Sequence, residues 1–382
     1  MSTWWVDEKQ LDEDQRAVVR LGDTGRFLIS GPPGSGKTNL LLLRANYLHG
    51  KGMYNFAVLS FTLALKSFLV AGARRYGVFP PDRVDTTMGW MMRQLNANGG
   101  SLANLSDDLT TRRSQLAQRL FDQIEARNLT TLHTTILLDE AQDCTQEEIR
   151  LFSRCASNLF IVGDDRQLIY ENAAGLDEIS KLIPAKDRKV LRFHYRNAPQ
   201  ICDLADRFAK VSRGHVAIKP TSNYPGPPGR VRIHRQPLRQ QFEQIVESLK
   251  LQLDSYPGEY LGVLCTRNDI LNQFWEYIGN SELAGQAYKL SEGVGWDDER
   301  HVVCCTIHSA KGLEFRVVHL PSFESNKGRE QRNLAYTAVT RAKTALDIYH
   351  EADFAGWLGE ALRDEEDVAD EPGWDAIFGG TR

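Results

Sequence analysis

Short runs of apolar, often β-branched residues alternate along the chain with longer segments whose apolar positions recur at helical spacing. A first series predicts strands at 26–30, 56–60, 135–138 and 159–162, and helices at 38–49 and 63–74. A second series predicts strands at 229–234, 260–265, 301–305, 315–319 and 345–349, and helices at 238–253, 269–278 and 329–343. Such alternation is typical of α/β folds with a parallel sheet between helices.

The two series set the predicted domain boundaries. We expect a first α/β domain over residues 1–185, a second over residues 186–358, and an acidic tail over residues 359–382. Within the first domain, residues 94–133 leave room for no more than a small helical insert. The tail carries eight acids between Glu360 and Asp375. Such a charge block is typical of a solvated chain end, and binding to a partner is the alternative.

Composition narrows the class of protein. The chain has 382 residues, 42% of them hydrophobic, and a net charge of −4. This balance excludes a wholly basic nucleic-acid coat protein. Charge is nevertheless segregated, because the segment from Arg207 to Phe242 holds eight Lys or Arg and no acid. This segment, with Arg230 and Arg232 on one strand, predicts either a nucleic-acid-facing surface or a solvated edge.

Two further patterns concern location. No apolar run approaches the length of a membrane span, and the N-terminus has no secretory pattern. The six cysteines show no CxxC spacing. We therefore expect a cytoplasmic protein with reduced core thiols and no membrane partner.

A glycine-rich loop is the strongest local signal. The segment GPPGSGKT follows a predicted strand and precedes a helix, which is the context of a P-loop. Its backbone N–H groups would bind phosphate, Lys37 would contact the β- and γ-phosphates, and Thr38 would be a Mg²⁺ ligand. The predicted nucleotide-binding residues here are Gly31, Pro32, Pro33, Gly34, Ser35, Gly36, Lys37 and Thr38.

Two acids follow a buried strand in the segment ILLDEAQD. At the carboxyl end of that strand, Asp139 would hold Mg²⁺ and Glu140 would deprotonate the attacking water. An acid pair alone also fits a helix N-cap. Together with a P-loop it predicts hydrolysis of a nucleotide, with ATP and Mg²⁺ as ligands.

Five more stretches carry a family resemblance. They are LDEDQ at 11–15, LFIVGDDRQLIY at 159–170, LRFHYRN at 191–197, TIHSAKGLEF at 306–315 and NLAYTAVTRA at 333–342. In this order they resemble the Q motif and motifs III, IV, V and VI of helicases. The chain resembles a UvrD/Rep-type superfamily 1 DNA helicase from about Gln10 to Tyr349, which implies two RecA-like P-loop NTPase domains.

The resemblance implies roles residue by residue. Gln15 would read the adenine edge, Tyr195 would stack on its face, and Gln167 would sense the γ-phosphate. Arg196 and Arg341 would act as arginine fingers. Further nucleotide-contacting positions match Asn39, Gly312 and Glu314. Positions that contact single-stranded DNA match Phe61, Thr62, Thr86, Tyr170, Thr306 and His308, with simple packing as the alternative for the aromatic residues.

The sequence departs from the family pattern at three places. Asn39 replaces an Arg that sandwiches adenine, Asn172 replaces a stacking Trp, and Leu63-Ala64 replaces an Asn-Lys pair. The chain also lacks room for the large inserted domains of the family. It therefore resembles a near-minimal ATP-dependent DNA translocase or helicase acting on single-stranded DNA or a single/double-strand junction. The alternatives are a non-unwinding ATPase switch subunit with a nuclease or defence partner, and an RNA-directed motor.

Overall fold

The computed structural model describes residues 8–76, 79–164, 175–209, 216–291, 296–297, 299–325, 331–354 and 356–363. The first sheet contains β1 (Arg26–Ser30), β2 (Phe56–Ser60), β3 (Val84–Thr86), β4 (His133–Leu138), β5 (Ala156–Gly163) and β6 (Arg188–Val190). Its strand order is β3-β2-β4-β5-β1-β6, and the neighbouring strands are parallel.

Helices cover both faces of this sheet. They are α1 (Glu13–Val19), α2 (Lys37–Gly50), α3 (Leu63–Tyr76), α4 (Thr87–Ala97), α5 (Leu109–Ala126), α6 (Gln146–Cys155) and α7 (Gly175–Lys181). Alternate residues of β1, β2, β4 and β5 enter two different cores. Phe27 and Ile29 pack with α2 and α3, whereas Leu28 packs with α4, α5 and α6. Burial of both faces explains why these strands are continuous apolar runs.

The second sheet repeats this architecture. It contains β7 (Arg230–Arg235), β8 (Leu261–Cys265), β9 (Ala287–Lys289), β10 (Val302–Thr306), β11 (Phe315–Leu320) and β12 (Ala342–His350), in the parallel order β7-β12-β11-β8-β10-β9. One face packs against α8 (Pro199–Ala209), α11 (Gln331–Val339) and α12 (Trp357–Leu362). The other face packs against α9 (Leu238–Ser255) and α10 (Asn268–Gly279). The expected α/β fold class, with two parallel sheets flanked by helices, is confirmed.

Two segments differ in detail from the sequence pattern. Strand β6 pairs with β1, so the first sheet continues past the expected boundary at residue 185. The helix expected to reach Lys343 ends at Val339, and Ala342 already pairs with Phe315 of β11. Within the small insert expected at 94–133, the structure has the end of α4 and the whole of α5.

All six cysteines are buried and unpaired. Among the described residues, no helix is both long and apolar enough to cross a membrane.

Candidate functional site

The glycine-rich loop joins β1 to α2 at the carboxyl edge of the first sheet. Lys37 Nζ donates to the carbonyl oxygens of Gly31 and Pro32, each at 2.8 Å. The buried hydroxyl of Ser35 has no hydrogen-bond partner among the described residues. An ammonium group, a buried hydroxyl and a helix N-terminus on one loop fit the phosphates of a nucleotide.

Gly34 brings this loop against the second domain. Its φ is +75°, and an added Cβ would lie 2.3 Å from Arg196 Cβ. Tyr195 N also donates to Gly34 O at 3.0 Å. A side chain at position 34 would therefore be strained and would clash. The glycine allows the backbone of residues 195 and 196 to lie directly against the phosphate loop.

Asp139 and Glu140 lie next to this loop because β4 ends two strands away from β1. Thr38 Oγ1 donates to Asp139 Oδ2 at 2.8 Å. A hydroxyl and a carboxylate are hard oxygen ligands of the kind Mg²⁺ prefers, so this pair fits a magnesium site. Glu140 has a left-handed backbone with φ of +51°. This conformation is costly for a non-glycine residue and is often found at functional sites.

The two acids have opposite electrostatic environments. Burial and the neighbouring Glu140 charge raise the pKa of Asp139. Burial also opposes ionisation of Glu140, but the charges of Lys311, Arg341 and Lys37 outweigh it and lower its pKa. Gln142 Nε2 further donates to Glu140 Oε2 at 2.6 Å. Glu140 is thereby held as a carboxylate, the form that a general base requires.

Arg196 and Glu314 meet on the second-domain side of the interface between the phosphate loop and the second domain, which we call the cleft. Arg196 Nε donates to Glu314 Oε2 at 2.7 Å, and Lys343 Nζ lies 2.8 Å from Glu314 Oε1. Burial disfavours the charged carboxylate, but Lys343 and Arg196 together hold the pKa of Glu314 far below its ordinary value. This ion-paired carboxylate fixes the guanidinium of Arg196, whose Cβ lies against Gly34.

Arg341 is buried in the same cleft, with 1% of its surface exposed. Its Nε donates to Thr337 O at 3.1 Å and its Nη1 to Leu313 O at 2.9 Å. Burial, followed by the charge of Arg196, lowers the pKa of Arg341 to about 10, whereas Glu140 acts in the opposite direction. The guanidinium is therefore charged at neutral pH and lies within electrostatic range of Glu140.

Two of the residues expected around adenine, Gln15 and Tyr195, are both bound to Asp12. Gln15 Nε2 donates to Ser35 O at 3.0 Å, and Gln15 also forms a capping box with Asp12 at the start of α1. Tyr195 Oη donates to Asp12 Oδ2 at 2.5 Å. Asn39 is buried, and its Oδ1 has no hydrogen-bond partner among the described residues. Gln15 and Tyr195 are thus tied to the phosphate loop through Asp12 and Ser35.

The residues expected to touch DNA lie at the ends of three strands. Phe61 and Thr62 follow β2, and Thr62 Oγ1 accepts from Leu65 N at the start of α3. Thr86 ends β3 and caps α4 by accepting from Gly89 N at 3.0 Å. Thr306 ends β10, and His308 lies exposed on the following turn.

Helix α3 brings these strand ends together across the domain interface. Ala64 packs in a core cluster with Ile307 and Ala310 of the second domain. A Cβ on Gly312, whose φ is +84°, would lie 2.7 Å from a methyl carbon of Leu65. The departure from the family pattern at Leu63-Ala64 therefore coincides with an apolar contact between the domains.

Arg230 and Arg232 do not join this group. Their strand, β7, is separated from β10 by three strands, or roughly 19 Å at ordinary strand spacing. Arg230 Nη2 lies 4.0 Å from Asp347 Oδ2, and Arg232 lies opposite Asp347 in the β7–β12 register. Both therefore lie on the edge strand of the second sheet, near the buried carboxylate of Asp347 on the neighbouring strand. Gln167, Tyr170 and Asn172 lie outside the described residues.

Two residues at the interface lie inside sequence motifs that predict no role for them. Lys311 Nζ forms a buried ion pair with Asp143 Oδ2 of the first domain. Burial, opposed by Lys311, raises the pKa of Asp143 to about 6. The sequence signal was their place inside two motifs; their pairing depends on the packing of the domains. Arg113 of α5, which contacts Asp143 O at 3.1 Å, had no sequence signal.

Two family models match the chain. Residues 95–182 match the UvrD/REP helicase N-terminal domain, and residues 301–349 match the UvrD-like helicase C-terminal domain. The first match contains Asp139 and Glu140, and the second contains Glu314 and Arg341.

Relatives with helicase names align to parts of the chain. A "Probable DNA helicase" of Mycoplasma pneumoniae is 28% identical over 241 residues, which cover 55% of this chain and 42% of that protein. The DNA helicase II of Rickettsia typhi is 35% identical over 107 residues, covering 24% of this chain and 15% of that protein. The alignments thus span less than half the length of these relatives.

Solved structures show weaker similarity. The helicase of PRRSV is 16% identical with a TM-score of 0.42, covering 89% of this chain and 57% of that one. The C-terminal domain of a possible DNA helicase from Lactobacillus plantarum is 19% identical with a TM-score of 0.34, covering 44% of this chain and 93% of that one.

Proposed function

We propose that the chain hydrolyses ATP with Mg²⁺ to move along single-stranded DNA and separate duplex, which the matches of residues 95–182 and 301–349 to UvrD-type helicase domain models support. One observation carries this proposal. The phosphate loop contacts the backbone of Tyr195 and Arg196 of the second domain, and Arg341 of that domain lies within electrostatic range of Glu140. A nucleotide bound there would touch both domains, so its hydrolysis would change how they pack.

Each first-domain group has a chemical task in this proposal. Lys37 and the amides of the phosphate loop bind the phosphates of ATP. Thr38 and Asp139 would hold Mg²⁺, which would neutralise phosphate charge. Glu140 accepts the proton of the attacking water, and the nearby cations keep it ionised for that step.

The second domain supplies positive charge. Arg196 and Arg341 stabilise the charge that develops on the transferred phosphoryl group. Glu314 and Lys343 orient Arg196 through the ion pairs at 2.7 and 2.8 Å. Tyr195 and Gln15 frame the adenine. Asn39 lacks the planar guanidinium of the Arg found at this position in the family. We therefore expect weaker binding of the adenine ring.

For the nucleic acid, we propose a path over the ends of β2, β3 and β10. Phe61 offers a ring for a base, while Thr62, Thr86, Thr306 and His308 offer polar contacts. The packing of Ala64 and Leu65 against the second domain supports a continuous path across the interface. The relatives carry helicase names and give no support to a switch subunit of a nuclease or defence complex.

The proposal is tested by the rate of ATP hydrolysis with single-stranded DNA, duplex DNA, RNA or no nucleic acid. We expect Mg²⁺-dependent hydrolysis that single-stranded DNA stimulates most. Lys37→Met is the matched inactive variant. A rate that no nucleic acid changes would contradict the proposed motor function, and stronger stimulation by RNA would establish an RNA-directed motor.

The path over the strand ends makes a separate prediction about binding. Phe61→Leu should weaken single-stranded DNA binding by about 1–3 kcal/mol without changing its salt dependence, because base stacking releases no counterions. The double variant Arg230→Gln/Arg232→Gln should bind like the parent. Titrations at several salt concentrations measure both. A salt slope lowered by up to about 1.4 in the double variant would instead place these arginines on the phosphate backbone.

A further inference from the structure

Helix α5 places an arginine against the ring that is proposed to receive a DNA base. Arg113 Cζ lies 4.2 Å from the centroid of the Phe61 ring, within cation–π distance. Arg113 is 2% exposed. The Phe61 ring therefore lies against the buried guanidinium of Arg113, so a change in the position of the ring changes its contact with the guanidinium.

The same guanidinium holds the segment that follows Glu140. Arg113 Nε donates to Glu148 Oε1 at 2.9 Å, and its Nη2 contacts Glu148 Oε2 and donates to Asp143 O at 3.1 Å. Glu148 in turn accepts from Thr145 N at 2.9 Å, at the start of α6. Arg113 thereby connects the turn at 141–143 to the first turn of α6.

From Asp143 the contacts continue into the second domain. Its carboxylate is paired with Lys311, and both side chains are at most 1% exposed. The Lys311 charge is the largest of those that favour ionised Glu140. A series of contacts thus runs from Phe61 through Arg113 and Asp143 to Lys311. The charge of Lys311 favours the ionised form of Glu140, the proposed general base.

We propose that Arg113 is a positioning residue that couples base stacking on Phe61 to ATP hydrolysis at Glu140. The inference rests on the proposed function and assigns part of its DNA stimulation to one side chain. A base that reorients the Phe61 ring reorients the guanidinium, which moves Asp143 and with it Lys311. An arginine suits this task because one rigid plane stacks on a ring and forms several directed hydrogen bonds, which a lysine cannot do.

The test is Arg113→Lys, which keeps a positive charge beside Glu148 but removes the plane. The measured quantity is kcat with saturating single-stranded DNA divided by kcat without DNA. We expect this ratio to fall about tenfold, within the range of ordinary coupling between sites, while basal kcat and the KM for ATP stay near parent values. Arg150→Lys is the matched control, because Arg150 of α6 stacks on Phe121 of α5 at 4.0 Å.

A double-mutant cycle with Phe61→Leu separates coupling from general damage. If the two residues act in series, Phe61→Leu/Arg113→Lys should be no worse than the more damaging single variant. Independent, multiplying losses would overturn the inference. So would a parent-like ratio in Arg113→Lys, or an equal loss in Arg150→Lys.

A second variant covers the case in which Arg113→Lys does not fold. Arg113→Met/Glu148→Gln removes both buried charges together and leaves neither unpaired. It should lose stimulation to the same extent, and parent-like stimulation in it would overturn the inference. If the parent itself is not stimulated by DNA, the proposed function and this inference both fail. If the parent is stimulated and the Arg113 variants match it, only the inference fails.

Discussion

Glu140→Gln is expected to bind ATP at close to the parent affinity but to lose turnover by a factor of about 10²–10⁴, the usual contribution of a general base. Glutamine keeps the shape and hydrogen bonding of the side chain, so the left-handed turn and the contact with Gln142 can persist. It cannot accept a proton from water. Steady-state hydrolysis and titration with a fluorescent ATP analogue measure the two effects separately.

Glu147→Gln is the matched control for this variant. Glu147 lies on α6 and accepts from Ser114 Oγ at 2.9 Å, outside the cleft. It should hydrolyse ATP at the parent rate. A parent-like rate in Glu140→Gln would show that another group removes the proton.

Arg196→Ala is expected to reduce turnover by a factor of about 10³–10⁵, as loss of an arginine finger does, with a much smaller effect on ATP affinity. The finger acts on charge that develops in the transition state, so its loss appears in kcat. Glu314 keeps its ion pair with Lys343 in this variant, which limits damage to the fold. Single-turnover hydrolysis and nucleotide titration provide the comparison.

Arg192→Ala serves as the control, because Arg192 lies four residues away in the same segment and pairs with Asp14. Because the Arg192 side chain is largely exposed, this pair contributes little to stability. If Arg196→Ala weakened ATP binding as much as turnover, Arg196 would bind the ground state and would not be a finger.

Local patterns predicted a large part of this fold. Strands β1 and β2 were predicted at their observed bounds, since strands buried on both faces are uninterrupted apolar runs. Strands β3, β6 and β9 have three residues each, too few to show a period, and none was predicted. The helix predicted to continue to Lys343 stops earlier because the guanidinium of Arg341 and the pairing of β12 with β11 decide that end.

The candidate site likewise has a part that the sequence predicts and a part that it does not. The phosphate loop could be recognised because its groups lie within eight consecutive residues and need a fixed backbone. The ion pair of Lys311 with Asp143 joins residues 168 positions apart, and the stack of Arg113 on Phe61 joins two separate elements. Such contacts form only when helices and domains pack against each other. The spacing of residues along the chain therefore does not predict them.

The six buried cysteines have a practical consequence for measuring domain motion. Burial raises the pKa of each thiol, to about 12 for Cys155 and Cys202 and higher still for Cys144, Cys265, Cys304 and Cys305. Thiolate is the species that reacts with maleimide dyes, and it is scarce at such sites. A dye pair can therefore be attached to one introduced surface cysteine on each domain while the natural thiols stay in place. Single-molecule fluorescence could then follow the cleft through successive rounds of hydrolysis.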